Sequence, residues 1–351
     1  MDSDILIIGG GVIGLSIARE LLKRGAGSIA IVDKGRIGAE ASWAAAGMLA
    51  PNAECHADDD LFRLCMASNA LYPRFAAELL DETGIDIELD RTGTLVLAFN
   101  EQESAELESK YEWQRSAGIA VQKLSADDIL KLEPNISADV RDGYLYPNDW
   151  QVENRKLVAA LRKYCEINGI ELIENKVVKH LKQEGNVVLT AGAWTNDLLA
   201  KPEVKPIRGQ MISLAPGESR ILRHVIYSHR GYVVPRADGR VLVGATVEDV
   251  GFSKEVTPEA IASLKAAAVE IAPSLGDLAI TESWAGLRPF VEGELPVIGR
   301  VSDIENVFVA TGHYRNGILL APITAKMVAD EMFGTQPPQL GVPALAGPAQ
   351  M

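Results

Sequence analysis

The apolar positions of the chain change their period several times. Asp4 to Ile8 ends in four consecutive aliphatic residues, the short unbroken run of a buried strand, and Leu15 to Lys23 continues with helical spacing. Between them, Gly9, Gly11 and Gly14 fill the glycine positions of G-x-G-x-x-G. Ser28 to Val32 predicts a second strand. Asp59 to Leu80 has helical spacing, with Leu61, Leu64, Cys65, Ala67 and Leu71 on one side and Gly84 as a stop. Thr94 to Phe99 predicts a strand. Gln102 to Leu132 is acidic and helix-prone, with Glu103, Glu106, Glu108 and Glu112 among its polar positions, a pattern of solvated surface. Arg155 to Asn168 predicts an amphipathic helix, and strands follow at Ile170 to Val178 and Asn186 to Leu189. From Val225 to Thr246 the period is two, with turns at His229 to Gly231 and Asp238-Gly239, as in an antiparallel sheet. Near the end, Gly312 to Gly317 reads as a turn feeding an apolar helix from Ile318 to Met327.

The opening unit carries specific chemistry. Gly9 serves the tight turn, Gly11 lets backbone approach a pyrophosphate, and Gly14 lets helix and strand pack closely, with the phosphates on the helix N-terminus. Asp33 falls 19 residues after Gly14 (33 minus 14), near the ~20 expected of an acid that holds a ribose hydroxyl. An adenine dinucleotide is therefore expected. Asp33 would repel a 2′-phosphate, while Lys34 and Arg36 keep NADP open. The apolar strand ending in Thr190, Ala191, Gly192, Ala193 and Trp194 lets a second piece of backbone come close to the nucleotide. Nucleotide-binding segments thus bracket an insertion. The expected class is α/β, a Rossmann-like doubly wound domain with an inserted antiparallel-sheet domain that forms one wall of an interface pocket. The expected boundaries are 1–85, 148–206 and 297–335 for the nucleotide domain, 86–147 and 207–296 for the substrate domain, and 336–351 for a loose tail with four prolines.

Composition narrows the partners. The 351 residues, 47% hydrophobic and 23% charged, suffice for about two domains. A formal net charge of −14 with no basic run argues against nucleic acid or an anionic membrane. Cys55, Cys65 and Cys165 are too scattered for a disulfide framework or a zinc site and read as free thiols, and Cys55-His56 reads as a chance pair. No metal is expected. Asp2 and Asp4 stand where a signal peptide would be basic, and glycines interrupt the first apolar run, so a cytoplasmic location is expected.

Several motifs together resemble the glycine oxidases of the thiamine pathway, within the D-amino-acid oxidase group of FAD-dependent amine oxidases. They are the opening turn, Ser42 to Pro51, Thr190 to Thr195, Tyr232 to Arg236, Val243 to Thr246, Trp284 to Pro289 and Gly312 to Pro322. The likeness runs in order from about residue 4 to residue 333.

The resemblance implies FAD as cofactor, bound noncovalently: relatives that attach it use a cysteine near the C-terminus, and no cysteine follows Cys165. It implies that Arg288 pairs with the substrate carboxylate, that Tyr232 bonds the same carboxylate, and that Arg315 stands near the substrate amine and the flavin. Met48, Ala50 and Ala53 match pocket-lining positions. Cofactor contacts carry over to Gly9, Gly11, Val12, Ile13, Gly14, Asp33, Lys34, Ser42, Ala45, Ala46, Gly47, Met48, Val177, Ala191, Gly192, Trp194, Arg288, His313, Arg315, Asn316, Gly317 and Ile318. The implied reaction transfers a hydride from the amino-acid α-carbon to flavin N5. Hydrolysis of the imino acid and reoxidation by oxygen then give the oxo acid, ammonia and hydrogen peroxide; glycine would give glyoxylate. Sarcosine, N-ethylglycine and D-alanine are alternative substrates. Alternative classes are a flavin dehydrogenase with another acceptor, an FAD protein without turnover, and a nicotinamide dehydrogenase. A homotetramer is also implied. The chain departs from the pattern between Val177 and Thr190: the resembled enzymes have a hairpin there, needing roughly 15 to 25 residues, and only His180 to Asn186 is available.

Overall fold

The structure, a computed structural model, describes residues 3–55, 57–181, 185–218 and 220–335. His56, and with it the Cys55-His56 pair, and the tail from 336 lie outside the described residues, as do residues 182–184 of the short connection.

Two large sheets share the molecule. Strand β1 (Ile5–Ile8) is central in a six-stranded sheet ordered Val297–Arg300, Val307–Thr311, Asn186–Leu189, β1, β2 (Ile29–Val32) and Glu171–Ile173. Its neighbours run parallel except Val297–Arg300 at one edge. All four residues of β1 and of β2 are buried, as expected of parallel strands covered on both faces. Helix α1 (Val12–Lys23) returns from β1 and buries Leu15, Ile17, Ala18 and Leu21 against the helices Asn154–Ile167 and Gly317–Phe333. Each of the two leucines and the isoleucine contributes roughly 1.5–3 kcal/mol. Gly9, at φ 110°, makes the turn out of β1; a Cβ there would overlap the Thr190 carbonyl.

The second sheet has eight strands, ordered Ile280–Phe290, Lys205–Leu214, Val241–Gly244, Gly231–Pro235, Val225–Ser228, Thr94–Ala98, Asp142–Tyr146 and Gln122–Ser125. Every pairing is antiparallel except the parallel one between Val225–Ser228 and Thr94–Ala98. A two-stranded ladder, Met48–Leu49 with Trp150–Gln151, lies apart from both.

The long helix Asp60–Thr83 starts where the Asp59 carboxylate accepts the Phe62 amide at 2.8 Å, and stops at Gly84 in the left-handed region, φ 73°. Its Ser68 and Tyr72 hydroxyls donate to the Leu319 and Ile318 carbonyls, fixing the first turn of the helix Gly317–Phe333.

Two expectations are corrected. The strand expected over Ile170 to Val178 is limited to Glu171–Ile173, because Asn175 turns into the left-handed region, φ 57°. The Asn175 and Lys176 amides then donate to the carbonyls of Gly35 and Asp33 instead of continuing the ladder. No described residue between Ile173 and Asn186 is in a strand. The acidic stretch from Gln102 to Leu132 is not one solvated surface. A helix at Glu101–Ser116 buries Leu107 and Gln114, and the strand Gln122–Ser125 separates it from a second helix, Ala126–Leu132.

Candidate active site

One long cavity runs from the C-terminal ends of β1 and β2 to the face of the eight-stranded sheet. At the first end stand Gly9, Gly11, Val12, Ile13, Asp33, Lys34, Val177, Ala191, Gly192 and Trp194. Asp33 accepts the Gly10 amide at 2.8 Å through one carboxylate oxygen and the Gly35 amide at 2.8 Å through the other. These bonds fix the carboxylate at the strand end and leave lone pairs for a ribose hydroxyl. Val177, 64% exposed, reaches the cavity edge because its segment runs beside Asp33 and Gly35.

The stretch from Ala41 to Glu54 forms the floor. Its carbonyls are tied from outside: Asn154 donates to those of Ser42 and Trp43 at 2.9 and 3.0 Å, the Trp284 indole to that of Ala44 at 2.9 Å, and Arg236 to that of Ala46 at 2.8 Å. Ser42, Ala45, Ala46, Gly47, Met48 and Ala50 are thereby presented to the cavity, and the Ser42 hydroxyl accepts the Val12 amide at 2.9 Å.

At the far end Arg288, Tyr232 and Arg315 converge with Met48 and Ala50. Arg288 extends from Ile280–Phe290, its Nη1 donating to the Thr246 and Arg208 carbonyls at 3.1 and 3.4 Å, which leaves its remaining N–H groups for a ligand. Tyr232 is buried, with its hydroxyl 3.8 Å from the Met211 sulfur and its ring stacked on Tyr227 at 6.3 Å between centroids. Burial raises the Tyr232 pKa, opposed by the nearby Arg288 charge, so the hydroxyl stays protonated. Arg315 stands on the turn before the helix Gly317–Phe333. Burial disfavours its charge, but the Glu54 carboxylate and neighbouring tyrosines outweigh that and raise its pKa.

His313 also lines the cavity, with Nε2 3.0 Å from the Thr324 hydroxyl. Burial drives its pKa down to about 3, so the ring is neutral. Asn316, Gly317 and Ile318 bring a helix N-terminus to the same wall, and no side chain caps it among the described residues.

Two expected residues do not line the cavity. Gly14 lies behind the turn, where a Cβ would overlap the Gly9 carbonyl oxygen and stand 2.7 Å from Thr190 Oγ1, so its place is in helix–strand packing. Ala53 faces away: its amide donates to the buried Asp149 at 2.6 Å, and its carbonyl accepts from Lys110. Glu54 faces the cavity instead. Pro51–Glu54 is a single helical turn, and Ala50 and Glu54, four apart, share a face that Ala53 does not. That spacing was a signal in the sequence. Tyr227, which stacks on Tyr232, has its pKa pushed up to about 12 by burial; alternation along its strand gave no indication that it neighbours Arg315.

A loop closes the nucleotide end. Phe252 stacks on Trp194 at 5.6 Å between centroids, Lys254 pairs with Glu40 at 3.0 Å, and Arg208 holds the loop through Glu248, the Ser253 hydroxyl at 3.3 Å and the Glu255 carbonyl at 3.0 Å.

A family model described as FAD dependent oxidoreductase matches residues 4–331. The chain belongs to that family of FAD-dependent oxidoreductases. It is 40% identical over 349 residues to the "Bifunctional protein ThiO/ThiG" of Trichormus variabilis, an alignment covering 94% of this chain and 52% of that protein. The chain thus spans about half the length of these bifunctional relatives. It is 35% identical to the glycine oxidase of Geobacillus kaustophilus, over 93% of this chain and 92% of the relative. The crystal structure of glycine oxidase from Geobacillus kaustophilus superposes with a TM-score of 0.91 at 34% identity, covering 95% of each chain.

The residues of this FAD-dependent oxidoreductase fit its cofactor. Around Gly11 the nearest atom to an added Cβ is Ser42 Oγ at 3.2 Å, so its backbone is open towards the cavity. Two helix N-termini face that cavity, one beside Gly11 for the pyrophosphate and one at Gly317 for an electron-rich ring. Among the described residues no group of histidine, cysteine or carboxylate side chains could hold a metal, and no helix is long and apolar enough to cross a membrane.

Proposed function

We propose that the chain oxidises glycine, or a small amine such as sarcosine or D-alanine, with oxygen as acceptor, giving glyoxylate from glycine together with ammonia and hydrogen peroxide. The observation that carries this reading is the convergence of Arg288, Tyr232 and Arg315 at one end of the dinucleotide cavity, beside the small Ala50 and the flexible Met48. It is supported by full-length likeness to a glycine oxidase.

FAD, when bound, supplies the two-electron chemistry. The protein's part is orientation and electrostatics. Arg288 binds the carboxylate through its free N–H groups, the Tyr232 hydroxyl donates to the same carboxylate, and the two fix the α-carbon in one direction. No acid or base from the chain is required, which agrees with a neutral His313 turned towards Thr324. Gly9, Gly11, Asp33, Ser42 and their neighbours hold the adenine and pyrophosphate half noncovalently. The nucleotide and substrate domains expected from the sequence, a cytoplasmic homotetramer and service to thiamine synthesis belong to the same reading, the last supported by the ThiO/ThiG relatives.

The test is the visible spectrum of the purified protein before and after anaerobic addition of glycine, sarcosine and D-alanine. A flavin band that bleaches supports the reading, and the order of rates ranks the substrates. A flavin band unmoved by all three would sink it.

A further inference from the structure

Among the described residues, Glu54 is the one acid at the substrate end of the cavity that the proposed chemistry leaves without a task. Among the described residues its carboxylate makes no hydrogen bond and no ion pair, although it lines the same cavity as Arg288 and Arg315. It is also held there deliberately. The turn Pro51–Glu54 is fastened from behind by a buried polar network: Asp149 accepts from the Asn52 amide, the Asn52 side chain and the Ala53 amide at 3.2, 2.6 and 2.6 Å. Gln114 donates to the Asn52 carbonyl at 2.9 Å, and Tyr146 donates to Gln114 at 2.8 Å. Lys110 and Asp149 lie behind the turn rather than on the cavity wall, where Lys110 donates to the Ala53 carbonyl.

We infer that Glu54 sets the charge class of substrate, favouring amines with a single carboxylate and rejecting those with a second one. This rests on the amine-oxidase reading above. With Glu54 ionised, the cavity's substrate end holds two guanidinium groups and one carboxylate, a net single positive charge that matches one substrate carboxylate. Arg288 takes that carboxylate. A second anionic arm would need Arg315, whose charge Glu54 already balances and which it influences more than any other charged neighbour. The same arm would meet Glu54 itself, a like-charge encounter in a partly water-excluded cavity. Burial outweighs the attraction of Arg315, Lys110 and Arg288 and raises the Glu54 pKa above the ordinary carboxylate value, so the discrimination strengthens as pH rises and Glu54 ionises.

Two ligands that differ by one carboxylate and cannot be oxidised as amines isolate the effect: methoxyacetate and diglycolate, the ether counterparts of sarcosine and iminodiacetate. Each is titrated into the FAD-loaded protein and followed by the change in flavin absorbance. The wild-type chain binds methoxyacetate more tightly. Glu54→Gln shifts the ratio of the two dissociation constants towards diglycolate by about tenfold or more, Glu54→Ala does likewise, and Glu54→Asp restores the original preference. Turnover of sarcosine against iminodiacetate follows the same shift. Glu54 makes no hydrogen bond in the protein among the described residues, so the variants keep a cooperative melt and the wild-type FAD content, which separates a change of binding ratio from misfolding. A ratio that stays within about twofold of wild type in both Gln and Ala variants overturns the inference. If neither amine is oxidised by any form, the substrate reading fails, and the binding ratio still decides the role of Glu54.

Discussion

Gly209 and Arg288 compete for one space. Gly209 lies on Lys205–Leu214, two residues along from the partner of Arg288, and a Cβ at Gly209 would overlap the guanidinium carbon and both terminal nitrogens. The arginine folds across the glycine and is anchored there by the Thr246 carbonyl at 3.1 Å. The direction in which Arg288 offers its free N–H groups is therefore set by the absence of a side chain on the neighbouring strand.

Gly209→Ala should displace Arg288 without touching the flavin. We expect kcat/KM for the best amine to fall about 10- to 100-fold at unchanged FAD content, and Arg288→Ala to fall further, by roughly 2–4 kcal/mol of transition-state stabilisation. Steady-state kinetics on flavin-normalised protein checks both. Near-normal turnover in Arg288→Ala would remove it from carboxylate binding.

Gly11 and Gly14 should separate binding from folding. A Cβ at Gly14 meets the Gly9 carbonyl oxygen and Thr190, whereas one at Gly11 meets only the Ser42 hydroxyl at 3.2 Å. Gly14→Ala should therefore lower the melting temperature of the flavin-free protein, at a cost of about 1–3 kcal/mol. Gly11→Ala should leave that temperature nearly unchanged and weaken FAD binding at least tenfold, because a pyrophosphate must approach its backbone. Thermal melts of the apoprotein and FAD titrations distinguish the two; equal effects of both variants on both measurements would contradict this division.

The loop that carries Phe252 and Lys254 should slow cofactor escape. Phe252 lies on Trp194, and Lys254 reaches Glu40, both on the cavity wall. Phe252→Ala is expected to speed FAD release about 5- to 20-fold, by loss of about 1–2 kcal/mol of aromatic packing. Lys254→Ala should have a smaller effect, because exposed ion pairs contribute about 0–1 kcal/mol. Recovery of free-flavin fluorescence after dilution measures both rates.

His313 should make the fold acid-sensitive. Burial holds its folded pKa at about 3, below the ordinary 6.5. The unfolded chain therefore takes up a proton as pH falls through 6.5 while the folded chain does not, and stability drops between about pH 6.5 and pH 3 at up to ~1.4 kcal/mol per pH unit. His313→Gln removes this term. Its melting temperature should depend less steeply on pH across that window than the wild type's, whatever its value at pH 7.

Local features of the sequence were the most legible. The G-x-G-x-x-G motif leads from β1 into the first turn of α1, and Asp33 follows β2 at the cavity, because a strand, a turn and a helix start are each set by a few neighbouring residues. Phase within a single turn was less so: Ala53 and Glu54 are adjacent, yet a rotation of about 100° per residue puts only Glu54 on the cavity face. Least legible were partners distant in the chain. The parallel pairing of Thr94–Ala98 with Val225–Ser228, and the contact of Gly209 with Arg288, arise from sheet registry that leaves no periodic mark. The end of the strand at Ile173 depended on a left-handed asparagine, which its residue type permits but does not require.

The order of strands in the six-stranded sheet has a consequence for biosynthesis. Gly9 emerges first from the ribosome, but the wall that faces it is completed by Thr311 and Gly317, the former 302 residues later (311 minus 9). The early turn lacks this partner surface until the segment through Gly317 has been made, so flavin capture follows synthesis of that segment.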